Sequence, residues 1–400
     1  MRSENMHNNS RYKSRHRGKN SLRIPVLICL IFSVVAGAFF HYRSSFRFLY
    51  TTDPQTVKSV LTSGKKYSPP KRIPSEGVST DKKIDHYLKK IHFNGTALIV
   101  KNGKVIINKG YGFANQSKKV PNNPDTAYYI GSITKSFVAT AFLQLQEAGK
   151  VNINEPLSDY LPNFPHAKEI KLYHLLTHTS GIPVRNESGG KVSREELMQS
   201  IGETAVHLKS IPGTKWGYSD ANYSLLGYVI EKASGMHLHE YIKEHIFNVA
   251  GMTHSGFGSD LKKEKYPSIG YKLKMGMIYI PKMQDFSQVF GCGDIYSTPY
   301  DLYKFDHALQ AGKLISQESY KQMFTPHNIA RYGYGWYINR KGWSVPPGNY
   351  SSHGVLPGWN GMNSFSKGGN AYVVLISNIQ NSVKSYAPIS KKIYNQLANI

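Results

Sequence analysis

Gly131-Ser132-Ile133-Thr134-Lys135-Ser136 is the stretch around which the rest of the chain is organised. An apolar helical pattern follows from Phe137 to Ala148, and Gly149 is suited to the left-handed conformation that ends a helix. Ser132 and Lys135 therefore stand at i and i+3 on one face of a helix start. A serine hydroxyl is a poor nucleophile until a base takes its proton. A buried lysine can be that base, because desolvation lowers its pKa. The positive helix end also favours the neutral amine and the alkoxide. Ser-x-x-Lys recurs by chance in many proteins, so its meaning depends on what surrounds it.

Upstream, Ile84, Leu88 and Ile91 share one helical face. Ala97-Leu98-Ile99-Val100, Asn102-Gly103 and Val105-Ile106-Ile107 follow. Asn-Gly between apolar runs predicts a tight hairpin, whose primed turn needs φ > 0 at both central residues. Downstream, Ala371 to Ser377 predicts a strand, and Ile389, Ile393 and Leu397 mark a last helix. Helix and hairpin at one end, strand and helix at the other, predict a sheet built from both ends. Residues 150–290 carry more helical periodicity, as at Leu225, Val229 and Ile230, and predict a mostly helical insertion.

The chain has 400 residues, 40% hydrophobic and 19% charged, which excludes a disordered or multi-span membrane protein. Cys29 and Cys292 are too few for a disulfide scaffold or a four-cysteine zinc site. The charge is the outlier, at +25. Residues 1–50 hold nine Lys or Arg and one Glu, so most of the excess lies beyond them. Such a surface attracts polyanions with a salt-sensitive affinity. Location decides which polyanion. Ile24 to Phe40 is an uncharged, mostly apolar run preceded by Arg2, Arg11, Lys13, Arg15, Arg17, Lys19 and Arg23. Its length is at the lower limit for a bilayer span, and the flanking charge puts the N-terminus inside the cell. The reading is a basic cytoplasmic tail over 1–23, a transmembrane signal anchor over 24–40, a Pro-containing linker over 41–80, and an extracellular domain over 81–400. Cleavage after Ala38, in Ala36-Gly37-Ala38, is the alternative to an anchor. An extracellular domain points to an anionic membrane or cell-wall phosphate polymer and away from nucleic acid.

Two further motifs follow Ser132 in order. Tyr218-Ser219-Asp220 comes after Ile211-Pro212-Gly213, and Ser352-His353-Gly354 precedes the C-terminal strand. With these the sequence resembles the serine β-lactamase/penicillin-binding protein superfamily, in its class C-like branch of β-lactamases, DD-peptidases and related esterases. Gly110-Tyr111-Gly112-Phe113-Ala114, Leu175 to Ile182 and Ser297 to Leu302 also resemble it. The resemblance implies an α/β (α+β) fold: an antiparallel sheet from both chain ends, flanked by helices, with a mostly helical inserted subdomain. It implies Ser132 as nucleophile, with Lys135 and Tyr218 sharing the acid/base work. It further implies an oxyanion hole from the backbone N–H groups of Ser132 and Val355, and close approach of substrate at Gly354. No cofactor or metal is implied.

Two departures narrow the substrate. The family's second motif usually reads Tyr-x-Asn, whereas here Asp220 takes the third position, and an ionised carboxylate can only accept hydrogen bonds. The third motif usually begins with Lys or His. Here either Ser352 or His353 comes first, and the register is open. The site suits a free carboxylate less and a free ammonium more. A D-alanyl ester on teichoic or lipoteichoic acid has that pattern, and Asp220 resembles the equivalent residue of teichoic-acid D-alanyl esterases of the FmtA type. Asp220 would either pair with the ammonium or hold Lys135 or Tyr218 in place. DD-carboxypeptidase, β-lactamase and a catalytically silent wall sensor are the alternatives. His174 and His178, at i and i+4, lack a third ligand and read as structural; Cys292 reads as a small residue in a tight loop.

Overall fold

The two ends of the described chain meet in one sheet. The computed structural model describes residues 77–187, 189–338, 348–383 and 385–400. The predicted tail, the predicted anchor with Cys29, and the linker as far as residue 76 lie outside them. Among the described residues no helix is long and apolar enough to cross a membrane.

In chain order the elements that position the site are β1 (Val78–Ser79), α1 (Lys82–Lys90), β2 (Gly95–Lys101) and β3 (Lys104–Tyr111). Then come α2 (Thr134–Glu147), α3 (Ala221–Ser234) and α4 (Pro299–Gln310). The chain closes with β4 (Tyr337–Ile338), β5 (Asn349–Leu356), β6 (Trp359–Ser366), β7 (Ala371–Ser377) and α5 (Tyr386–Leu397). The seven strands form one antiparallel sheet in the order β1-β3-β2-β7-β6-β5-β4. The seam between the two ends is the β2–β7 pair, from Gly95 opposite Ser377 to Lys101 opposite Ala371. Asn102 and Gly103 both have positive φ, 50° and 74°, as the hairpin reading requires. Val78 and Ser79, read as linker, instead pair with Asn108 and Ile107 as the sheet's edge.

Strand alternation gives the sheet two apolar faces. Ala97, Ile99, Met362, Val373 and Leu375 pack on Ile84 and Leu88 of α1 and on Ile389, Ile393 and Leu397 of α5. Leu98, Val100, Phe365, Val374 and Ile376 belong to the other core, which holds α2 and α4. There the rings of Phe137 and Phe305 stack at 4.0 Å. Helix α2 is apolar nearly all round because it is enclosed on nearly every side; Gly149, with φ 67°, follows its C-cap.

Residues 150–290 contain α3 and the helices Leu172–Leu176, Arg194–Ala205 and Leu238–Ile242. They also contain short strands. Ile295–Ser297 pairs with Tyr128–Tyr129 and with Gly256–Phe257, tying this region to the segment that leads into Ser132.

Asp306 of α4 and Asn363 of β6 join helix layer and sheet through a 2.9 Å bond from Asn363 Nδ2. Asp306 is wholly buried, and among the described residues its Oδ2 has no partner. Burial pushes its carboxyl well above the usual carboxylate range. The folded state therefore binds the proton more tightly than the unfolded state, where the pKa is about 3.9, and stability is lost as pH rises from there through the folded value. Asp306→Asn keeps the shape without the titration. Its melting temperature should exceed the wild type's by a few degrees at pH 8 and match it below pH 4, as scanning calorimetry would record.

Candidate active site

Ser132 sits in a single 3-10 turn, Gly131–Ile133, immediately ahead of α2. This turn lies edge-on against β5. A Cβ on Gly131 would stand 2.7 Å from the Val355 nitrogen, and Gly131 has φ 52°. A Cβ on Gly354 would overlap the Ile130 carbonyl oxygen. Both glycines are needed for this approach, which brings the Val355 backbone beside the Ser132 turn.

Lys135 is in the first turn of α2 and is 1% exposed. Its ammonium donates to Ser132 Oγ at 3.0 Å, to Asp220 Oδ1 at 2.5 Å and to the Cys292 carbonyl at 2.8 Å. Tyr218 OH donates to Ser132 Oγ at 2.9 Å. Asp220 occupies the N-cap of α3 but gives that helix no side-chain cap, although aspartate favours that use. Its carboxylate goes to Lys135 instead. The first two motifs thus meet at one hydroxyl, and the third lies against the Ser132 turn through the backbone of Gly354 and Val355.

The electrostatics reverse one expectation. Burial does pull the Lys135 amine down, but the Asp220 carboxylate, through its charge and its hydrogen bond, outweighs it, and the net shift is well above the ordinary lysine value. Lys135 is an ammonium, because the partner that fixes it also holds its proton. Burial pushes the Tyr218 phenol up, only partly offset by Lys135, so Tyr218 is neutral. Behind it lies His178, wholly buried, its ring 4.4 Å from that of Tyr218. Burial and the Lys135 charge hold His178 well below the usual histidine range. Asn222 Nδ2 is 3.0 Å from His178 Nδ1, and Ser180 Oγ donates to Asn222 Oδ1 at 2.6 Å, so this network assigns the imidazole proton to Nε2.

The third motif divides between the two sheet faces. Ser352 and Gly354 share the face of the Ser132 turn, and Ser352 is buried. His353 pairs with Met362 and lies 5.8 Å from the ring of Tyr386, on the face covered by α5. The structure therefore brings Ser132, Lys135, Tyr218, Asp220, Ser352, Gly354 and Val355 to one place, and does not bring the His353 ring there. His174 Nδ1 accepts from the Lys171 N–H at 3.1 Å, whereas His178 Nδ1 faces Asn222. Among the described residues no group of three His, Cys, Asp or Glu is placed to hold a metal.

Two contributors had no sequence signal. The Cys292 carbonyl is a backbone group, which no side-chain pattern marks. Glu187 lies in a loop without a motif, and lines a cleft of about 950 Å³ together with Tyr129, Phe286, Pro357 and Trp359. Burial and the Asp220 carboxylate push Glu187 up to about 7, against the pull of Lys135 and Arg185.

Residues 80–396 match the Beta-lactamase family. The chain belongs to that family. As a member it is a serine hydrolase of the β-lactamase/penicillin-binding protein superfamily. It is 48% identical over 320 residues, 80% of this chain and 79% of the relative, to the "Putative penicillin-binding protein PbpX" of Bacillus subtilis (strain 168). It is 30% identical over 319 residues, 77% of each chain, to a teichoic acid D-alanine hydrolase of Staphylococcus aureus. The crystal structure of FmtA from Staphylococcus aureus superposes with a TM-score of 0.70 at 28% identity, covering 87% of this chain and 96% of that one.

The ion pair makes a checkable demand on stability. Asp220→Asn leaves the buried Lys135 ammonium without its counter-charge, and breaking a buried pair in this way costs about 3–5 kcal/mol. In the wild type the raised lysine pKa contributes stability that is fully present below the unfolded value of about 10.4. In the variant, burial lowers the lysine pKa, so stability is lost as pH falls below that value. The gap in urea-unfolding free energy between the two proteins should be largest at pH 7 and narrow as pH approaches 10.

Proposed function

We propose that this enzyme removes D-alanyl esters from teichoic or lipoteichoic acid through an acyl-enzyme on Ser132, with Lys135, Tyr218 and Asp220 managing the proton. The observation that carries the substrate assignment is neutral Ser352 on the site face of β5, with His353 turned to the opposite face. That position offers no cation to hold a free substrate carboxylate. A D-alanyl ester has none, whereas a peptide ending in D-Ala does. The name of the 30% identical staphylococcal relative supports the same reading.

The chemistry follows the contacts. Lys135 bridges Ser132 Oγ and Asp220 Oδ1. As Ser132 attacks the ester carbonyl, its proton moves to Lys135 Nζ while Lys135 passes one to Asp220, so the lysine stays charged and the net acceptor is the carboxylate. The N–H groups of Ser132 and Val355 take the developing oxyanion. Tyr218 OH, 2.9 Å from Oγ, protonates the departing alkoxide and is reprotonated through Lys135 from Asp220. Water then repeats the sequence in reverse on the D-alanyl-serine, releasing D-alanine. Asp220 thus does the positioning work anticipated as one of its two roles, and adds a proton store that an amide would lack.

The carrier polymer is a polyphosphate, and residues 51–400, which carry +17 of the +25, meet it with complementary charge. Anchoring by residues 24–40 with the catalytic domain outside a Gram-positive membrane belongs to the same proposal. Greater identity to a protein named as penicillin-binding favours a second reading, DD-carboxypeptidase action on peptidoglycan stem peptides.

Released D-alanine separates the two readings. The protein should liberate it from D-alanylated lipoteichoic acid faster than from a muropeptide ending in D-Ala-D-Ala, and the reverse preference would make the enzyme a carboxypeptidase. Ser132→Ala should lower either activity by about 10³-fold or more without unfolding the protein. Raising salt from low to physiological strength should weaken binding to polyglycerol phosphate, because exposed charges are screened within roughly 10 Å.

A further inference from the structure

The ester reading leaves the amine of the D-alanyl group without an assigned partner. Asp220 is the nearest formal candidate, but its Oδ1 lies 2.5 Å from the Lys135 ammonium, so its charge is already matched. Two further carboxylates, Glu187 and Asp285, line the adjoining cleft, and Asp285 already accepts from the Ser287 N–H and Oγ at 2.9 and 2.6 Å. Glu187 is half-buried, and its carboxylate makes no hydrogen bond or ion pair among the described residues. An unpaired carboxylate withdrawn from water is costly unless a cation meets it. Arg185, close in sequence, is committed to Gln288, through bonds of 2.7 Å to Oε1 and 2.6 Å to the carbonyl.

The same cleft has an aromatic wall. The Tyr129 ring lies 4.7 Å from that of Phe286 and 4.9 Å, edge to face, from that of Trp359. Their polar atoms are used elsewhere: Tyr129 OH donates to the Gly258 carbonyl and Trp359 Nε1 to Ser268 Oγ. What these residues offer the cleft is ring surface, which attracts ammonium groups. Exposed Lys262 and Lys282 line the cleft as well. A carboxylate and aromatic rings together with free-standing lysines fit a small cationic acyl group carried on a polyanion.

We propose that Glu187, with the rings of Tyr129, Phe286 and Trp359, forms the subsite that holds the ammonium of the D-alanyl group and so selects the acyl part of the substrate. This rests on the D-alanyl ester reading. The groups bearing on the Glu187 charge are Asp220, which opposes it, and Lys135 and Arg185, which favour it. With that balance its ordinary midpoint is pushed up to about 7, so the subsite loses its charge in mild acid, while the substrate's α-amino group loses its proton above about 8, and the two are paired best near neutrality.

The test compares D-alanyl and propionyl esters of glycerol, which differ only in the amine, with the full-length protein. The wild type should prefer the D-alanyl ester. Glu187→Gln should raise KM for that ester roughly 10–100-fold, the range of a lost charge-assisted contact, and leave the propionyl ester within about twofold. In the wild type, KM for the D-alanyl ester should rise as pH falls from 7.5 to 5.5 by more than KM for the propionyl ester does. Glu187→Gln should abolish that difference. Equal losses on both esters, or a preference that survives the substitution, would overturn the subsite. A wild type without any preference for the D-alanyl ester would overturn the substrate reading itself, whatever the variant does. The wild-type pH comparison decides the matter even if the variant folds poorly.

Discussion

Lys135 carries a full charge into a place that water scarcely reaches, and the surrounding structure is arranged around that fact. Isolated, such an ammonium would shed its proton. Asp220 prevents this at 2.5 Å, the Cys292 carbonyl takes a second N–H, and Ser132 Oγ takes the third. Each of these groups comes from a different part of the chain, so the charge also fixes how those parts meet. Asp220, at the start of α3, has helical φ and ψ, −61° and −32°, which do not suit a capping side chain, and its carboxylate serves the buried charge instead.

The sheet explains how a nucleophile can be held so firmly at the edge of such a site. Its two halves come from opposite ends of the chain and meet at β2 and β7. That seam places β5 where Gly354 and Gly131 can let two backbones touch. The Ser132 turn is therefore pinned by main chain on one side and by the Lys135 ion pair on the other. His178 adds a third restraint. Neutral and buried, it packs against the Tyr218 ring without contributing a charge that would disturb the Lys135–Asp220 pair.

Much of this was legible in the sequence where local rules apply. The Asn102-Gly103 turn, the apolar spacing of α1 and α5, and the β7 run were readable because each depends on neighbours close in the chain. Ser132, Lys135, Tyr218 and Asp220 were readable because their spacing resembles a known family. The protonation of Lys135 was not, since it depends on a carboxylate 85 residues away. The Cys292 carbonyl left no trace because every residue has one. Glu187 stands in a loop without a motif, and its neighbours Asp220 and Lys135 are brought to it only by the fold. The register at Ser352 and His353 was open in the sequence because both residues are polar; the β5–β6 pairing places them on opposite faces. Val78 and Ser79 were read as linker because two residues are too few for a periodic signal.

In the proposed mechanism Ser132 carries the D-alanyl group during turnover. Acid-quenched enzyme, mixed with D-alanylated lipoteichoic acid and digested, can be read by peptide mass spectrometry. The account predicts a D-alanyl ester on the peptide containing Ser132, present in the wild type and missing from Ser132→Ala. A D-alanyl adduct on another residue, or rapid release of D-alanine by Ser132→Ala, would contradict it.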